Sequence, residues 1–554
     1  MKTNFSLLLL ALVVVCNASF AQILGSPDVI RMTQAKNRFS EGDVNGALAV
    51  YLQLYTAHGA NPLLNVRMAE CYLVLKQGKD ALAYVDKARE LDANVDKELE
   101  YHAAEAYRLL GKQEEALARL EVYRKQDKLK TDDLLKADAL ATKCKTTLEL
   151  MAKPVNVRIS SASDNINTAD HHEYHPSITA DGKIMVFTSR RSTDEKAEKD
   201  PYDEDFFEKV FITYWSDSIK GWAPAEPIPG GINTKGRHDA SLSISPDGKQ
   251  VFLYRNEIGA GDIFVSKTRM SKDATDAIES ELSSVSRLVS LNKWSSPLSL
   301  GKPVNSSYWE SCGAISADGK TLYFVSERPK GQGSGDIWMA KRVSSTEWGT
   351  PVNLVGINTV EDEKSVFIHP DGKTLFFSSQ GHRNMGGYDI FRSVLGADGK
   401  WSEPENVGYP INTPSDEFDF VSTTDGKTAY YCTSSEGSKK FDIMKLDLGK
   451  YDVLGGNLAA EKSGLCIVRG TILNPSGMAV STKVVCKEAN GAGIVAETES
   501  DEDGNFFITV PGNKDYELIV VAPAYKEYRH AVRVNLNADG STATTNHSIS
   551  LETK

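Results

Sequence analysis

Five acidic residues recur at one place in a repeated pattern. Glu173, Asp239, Glu310, Glu363 and Glu417 each stand eight residues before the aspartate of an Asp-Gly-Lys turn, at Asp181, Asp247, Asp318, Asp371 and Asp425. Carboxylates serve acid–base catalysis and hard-cation binding, so these five set the first question. A catalytic pair needs two different environments, whereas these residues follow the repeat, and no catalytic residue is assigned. On the innermost strands of equivalent units they would ring the mouth of a central channel. Like charges so placed need hydrogen bonds or a shared cation. The expected arrangement is that each carboxylate accepts backbone N–H groups from the neighbouring unit's loop. The alternative is a Ca²⁺ site at the same five residues.

The densest cluster of metal-ligand residue types is His171-His172-Glu173-Tyr174-His175. Side chains alternate between faces along a strand, so this run does not converge on one metal, and none is assigned. Trp294, Trp348 and Trp401 each open a Trp-x-x-Pro element, and Trp222 opens a one-residue-shorter copy, Trp222-Ala223-Pro224. One per unit suits packing better than a carbohydrate-stacking surface. The sequence contains no G-x-S-x-G elbow, H-E-x-x-H helix, phosphate loop or dinucleotide fingerprint, and no cofactor is expected.

The elements that position these residues follow from the turns. Each Asp-Gly-Lys is preceded by an Ile/Val-Asn-Thr/Ser triplet (at Ile166, Ile232, Val304, Ile357 and Ile411) and followed by an apolar strand such as Thr321–Ser326. An Asp-Ile-aromatic element comes next at Asp262, Asp336 and Asp389, with Asp442-Ile443-Met444 as the last copy and Lys209-Val210-Phe211 as a degraded first one. Four strands per unit, five times over, predict a five-bladed β-propeller, with a six-bladed ring as the alternative. The last unit lacks a Trp-x-x-Pro strand, and residues 154–160 supply the missing piece, so the N-terminal strand should close the ring. Insertions near 200–208 and 271–290 read as surface loops.

Before Pro154 the apolar spacing is helical. Gly42, Gly78 and Gly111 are followed by Ala47, Ala81 and Ala116 at a period of about 34 residues. With Met68–Tyr72 and Ala103–Tyr107 this resembles the tetratricopeptide repeat (TPR): three helical hairpins and a terminal helix at about 134–150. After Gly455-Gly456-Asn457, alternation returns in Val468-Arg469-Gly470-Thr471-Ile472, Asp501-Glu502-Asp503-Gly504-Asn505-Phe506 and Ala524-Tyr525. These resemble the markers of the carboxypeptidase regulatory-like domain, a small β-sandwich without peptidase ligands. Cys466 and Cys486 fall on its first two strands, as a disulfide or as two buried thiols.

The predicted order is a signal peptide (1–21), a TPR-like helical domain (22–152), the propeller (153–452), a linker (453–463) and the sandwich (464–554). The signal rests on Lys2, the apolar run Leu7–Val15 and the small-x-small pattern Ser19-Phe20-Ala21. Cleavage after Ala21 is expected, with lipidation of Cys16 as the alternative, and no later stretch is long and apolar enough to span a bilayer. The 63 basic against 75 acidic residues give a net charge of −12, which argues against nucleic acid as a partner.

The propeller vocabulary resembles the WD40-like PD40 repeats of Bacteroidota envelope proteins and of the Tol-system propeller. The whole order is similar to PorE-type envelope proteins of type IX secretion and gliding. That resemblance implies a non-enzymatic scaffold in the periplasm or on the periplasmic face of the outer membrane, binding envelope proteins through the TPR groove and the propeller faces. A carbohydrate-binding or glycan-processing propeller is the alternative. The family continues into an OmpA-like domain, and this sequence reads only to Lys554, so peptidoglycan binding is not expected of these residues.

Overall fold

Small residues let the N-terminal helices approach closely. Among the described residues of the computed structural model (26–127, 129–192, 197–201, 203, 205–258, 260–269, 293–344, 346–434, 440–455, 464–491 and 493–554), seven helices form three hairpins and a terminal helix. They are α1 (Ser26–Ser40), α2 (Val44–His58), α3 (Pro62–Val74), α4 (Gly78–Leu91), α5 (Leu99–Leu109), α6 (Gln113–Arg124) and α7 (Thr131–Met151). Ala47, Ala81 and Ala116 are fully buried. A Cβ on Gly78 would lie 2.8 Å from that of Leu109, so glycine allows α4 to start against the end of α5. Asn61 caps α3 by accepting from the Leu64 N–H at 2.9 Å, with Pro62 in the first turn where no N–H is needed. The signal peptide, Cys16, the insertion at 271–290 and linker residues 456–463 lie outside the described residues.

The chain divides after Ala152, and everything beyond forms a second compact unit. In it, five sheets make the propeller that the turn grammar predicts. From the inside outward, blade one is Glu173–Ile178, Ile184–Ser189 and Lys209–Ser216, edged by Gly221–Trp222 and Glu226–Pro227. Blades two to four repeat this from Asp239, Glu310 and Glu363. Blade five, Glu417–Ser422, Thr428–Ser434 and Phe441–Asp447, takes Arg158–Ser161 as its outer strand, with Ile159 opposite Leu446. The ring is therefore closed by the N-terminal segment. Its paired residues lie slightly further along than 154–160, because Val155 and Val157 instead pack into the core between blades four and five.

Among the described residues there are five such cores, one at each joint between neighbouring blades. The tryptophans of this element enter four of them, all but the joint of blades four and five. Trp294 joins the core of blades one and two, Trp348 that of two and three, and Trp222 that of five and one; Trp401 packs edge-on against Tyr323 of blade three. Each indole thus reaches into the preceding blade, and burial of so large a ring supplies much of the blade-to-blade adhesion.

The C-terminal sandwich has sheets of three and four strands. Leu465–Leu473 pairs in parallel with Thr544–Ser550, and a Cβ on Gly470 would come within 2.0 Å of the His547 carbonyl, which explains the glycine of Val-Arg-Gly. Cys466 and Cys486 lie in different sheets, facing one core as free, fully buried thiols.

Candidate functional site

Each of the five carboxylates opens an innermost strand, at the end away from the Asp-Gly-Lys turn. None reaches solvent: four are 0% exposed and Glu417 is 1%. What encloses them is the triplet just before. The backbone N–H and hydroxyl of Thr168 donate to Glu173 at 2.9 and 3.0 Å, and those of Thr234 to Asp239 at 2.6 and 2.7 Å. Ser306 does the same for Glu310, Thr359 for Glu363 and Thr413 for Glu417, all within 3.1 Å. The donors are thus in the connecting segment four or five residues upstream, rather than in the neighbouring blade's loop. A carboxylate one tight turn away reaches both groups of one residue at once.

The triplet's asparagine faces the other way. Asn167, Asn233, Asn305, Asn358 and Asn412 each accept the N–H and donate to the C=O of one residue in the preceding blade's third strand, at 2.8–3.0 Å. Those residues are Ile443, Val210, Ile263, Ile337 and Ile390. The triplet is a staple: asparagine fixes the blade behind and the hydroxyl residue fixes the carboxylate ahead. A buried amide satisfied on both sides holds two sheets in register.

A third set of donors comes from sixteen residues beyond each carboxylate. Ser189, Ser326 and Ser379 donate at 2.7–2.8 Å and Thr433 at 3.3 Å, whereas in blade two Arg255 Nε takes that place at 2.6 Å. Arg191 and Arg328 add Nη2 contacts to Glu173 and Glu310 at 3.2 and 3.0 Å. Blades one to three are therefore ion-paired. In blade four His382 donates to the Ile357 carbonyl, where an arginine stands in the earlier blades, and Glu363 is bonded to Thr359 and Ser379.

Burial pushes the Glu363 carboxyl up to about 7 and that of Glu417 well above its ordinary range. A folded-state value above the ordinary 4.5 means that folded Glu363 keeps a proton the unfolded chain has released. Its contribution to stability is full below pH 4.5 and is lost as pH rises through about 7. Melting Glu363→Gln beside the parent from pH 4 to 8 should therefore show a smaller fall in the variant. Parallel curves would contradict this.

The histidines of His171–His175 are brought to one seam but not to one point. At the joint of blades five and one, His172 Nδ1 accepts the Phe441 N–H at 3.1 Å, and His175 Nδ1 lies 2.9 Å from Asp419. The Asp419 carboxylate also accepts the His175 N–H at 3.0 Å. At equivalent joints neutral groups serve: Ser365 Oγ accepts from Asp419 N, and Cys312 Sγ from Val366 N. His171 instead packs edge-to-face against Phe206. Among the described residues no three His, Cys, Asp or Glu side chains are grouped as a metal would require.

The acidic insertion near 200–208 differs from a plain surface loop. Glu208 is bonded to the Tyr174 hydroxyl and lies 3.1 Å from His238 Nδ1, while Asp200 is 3.0 Å from Nε2 of the same ring. The hydrogen bond to Glu208 holds the His238 imidazolium above its ordinary range. Nothing in the repeat marks these residues, since the partners lie about 30 residues apart in sequence. A Ser or Thr stands sixteen residues after four of the five carboxylates, a fixed spacing that the sequence itself carries.

A tetratricopeptide repeat family model matches residues 38–100. No curated protein matches the chain. Among solved structures, TolB from Acinetobacter baumannii is similar at 14% identity and a TM-score of 0.30, over 51% of this chain and 55% of that one. The chain thus spans about half the length of that TolB. A protein assigned as TolB from Agrobacterium tumefaciens is similar at 13% identity and a TM-score of 0.29, over 64% of this chain and 97% of that one. The Yersinia enterocolitica type III secretion chaperone SycD, solved with a peptide of the translocator YopD, is similar at 18% identity and a TM-score of 0.19, over 21% and 89% of the two chains.

Proposed function

We propose that the chain is a non-enzymatic scaffold that holds protein partners through its helical repeats and propeller, at the periplasmic face of a cell envelope. The observation that carries this reading is where the polar repeat is spent. The five carboxylates, the residues best suited to chemistry, are enclosed in staples that join strand to strand and blade to blade. Apolar side chains stand outward on the helical repeats instead: Val29 and Ile30 on α1, and Leu63 and Val74 on α3, are 37–55% exposed. Exposed apolar residues on first helices of successive hairpins suit a peptide or protein segment. Export and the PorE-like assignment to type IX secretion or gliding rest on the N-terminal pattern and the order of domains. Mild crosslinking in native envelopes followed by affinity capture should recover defined envelope proteins, and Leu63→Glu/Val74→Glu should lose them while melting like the parent. Hydrolysis of a polysaccharide by the purified chain at enzymatic rates would overturn the reading.

A further inference from the structure

In each blade the residue just before the inner-strand carboxylate meets the blade behind it. Asp362 accepts the Gly335 N–H at 2.7 Å, Asp416 the Tyr388 N–H at 3.0 Å and His172 the Phe441 N–H at 3.1 Å, while Trp309 stacks on Tyr254. His238, the blade-two member, has two such contacts to choose between. Its Nδ1 lies 3.3 Å from the backbone nitrogen of Glu208 and 3.1 Å from the carboxylate of the same residue. A neutral Nδ1 accepts the N–H, as its counterparts do, whereas a protonated Nδ1 donates to the carboxylate. On the other side of the ring, Nε2 is 3.0 Å from Asp200. A ring with a carboxylate at each nitrogen bonds to both only as the imidazolium.

Both carboxylates belong to the insertion near 200–208, and the ring belongs to the segment that leads into blade two. The site is partly dry: the Asp200 and Glu208 side chains are 11% and 21% exposed, and Phe207 packs edge-on against the ring at 5.0 Å. The Tyr174 hydroxyl donates to Glu208 from blade one's inner strand. Other cations around the ring have carboxylates of their own. Arg190 pairs with Asp203, Lys235 with Glu198 and His175 with Asp419, Lys209 lies 3.7 Å from Asp239, and Arg237 is exposed. Loss of the His238 proton therefore costs Glu208 its cation and leaves the Tyr174 hydroxyl as its side-chain donor. The hydrogen bond to Glu208 keeps the imidazolium above its ordinary 6.5. Burial raises the Glu208 carboxyl, but its bonds to His238 and Tyr174 outweigh burial and hold it below 4.5. The charged pair is thus complete between pH 4.5 and 6.5, and is lost as pH rises through the raised His238 value or falls through the lowered Glu208 value.

We infer that His238 is a proton-operated clasp, which fixes the insertion of blade one to the start of blade two when charged and loosens it when neutral. The neutral ring keeps at most one of the two carboxylates. The clasp stands at the end of the propeller away from the Asp-Gly-Lys turns, whereas the sandwich meets the turn end, with Lys249 Nζ 2.7 Å from Asp501 and Lys320 Nζ 3.1 Å from Glu497. Beyond the scaffold reading, this gives the end opposite the sandwich two forms set by pH.

Hydrogen exchange of the full chain, corrected for the intrinsic pH dependence of amide exchange, tests the clasp. Peptides carrying Asp200, whose N–H donates to the Asp205 carbonyl at 2.8 Å, should lose protection between pH 6 and pH 9. Those carrying Gly335 and Tyr388, at joints held by Asp362 and Asp416, should keep theirs. His238→Gln takes no proton and should show the low protection at both pH values. Asp200→Asn leaves the ring one carboxylate and should move the loss of protection to lower pH; it decides the matter should His238→Gln fail to fold. Parent protection that is the same at pH 6 and pH 9, an equal fall in His238→Gln, or an unmoved midpoint in Asp200→Asn would overturn the inference.

Discussion

Removing Arg158–Ser161 is expected to abolish the monomeric propeller. That strand gives blade five its outer edge by pairing with Met444–Asp447, and just upstream Val155 and Val157 join Phe376, Ile390 and Leu446 in the core between blades four and five. Without it, the third strand of blade five exposes a row of unpaired N–H and C=O groups, and an open edge of that kind pairs with another chain. Size-exclusion chromatography with light scattering should find oligomers or aggregate in place of monomer, with loss of the cooperative melt of the second unit. A truncated chain that stays monomeric and melts like the parent would show that the ring is closed by something else.

The second large effect is expected at Glu310, and its size should exceed that at Glu363. Glu310→Ala leaves Arg328 Nη2 and the hydroxyls of Ser306 and Ser326 without their shared acceptor, in a site where the glutamate was 0% exposed. Breaking a buried ion pair from one side costs about 3–5 kcal/mol, because a charge is left without its partner. Glu363→Ala strands only the N–H and hydroxyl of Thr359 and the hydroxyl of Ser379, for which about 1–3 kcal/mol is the corresponding cost. Urea unfolding at pH 7 of the two variants should rank them in that order. The reverse ranking would mean that Arg328 is satisfied by the Pro303 and Val304 carbonyls alone, to which it also donates.

The division between what could and could not be read in the sequence follows sequence distance. Asp-Gly-Lys turns, the triplet and the Trp-x-x-Pro element are local and repeat, so blade number and the missing outer strand were legible. So was the carboxylates' need for hydrogen-bond donors, since a ring of five like charges is costly without them, but their full burial away from the channel rim was not. Spacing does not locate their donors, which lie upstream in the triplet and not in the neighbouring blade's loop, because distance along the chain does not say whether a connecting stretch crosses to the next blade before or after it turns. Arg255 replaces a serine in blade two, and no periodic signal announces a substitution of ion pair for hydroxyl. The Asp419–His175 pair joins residues 244 apart, and Lys249 meets Asp501 across 252. Contacts at such separations depend on ring closure and domain docking, which no local pattern encodes. The histidine run looked like metal chemistry for a related reason: a closing seam concentrates polar groups from both chain ends.

The central claim is that the repeated carboxylates are internal staples and not a ligand set, and thermal melting of the full chain and of Glu310→Gln tests it most directly, each with excess Ca²⁺ and with chelator. The account expects a lower Tm in the variant by the same margin in both conditions, and a parent Tm that chelator does not move. A parent stabilised by Ca²⁺, with that response absent from Glu310→Gln, would contradict it.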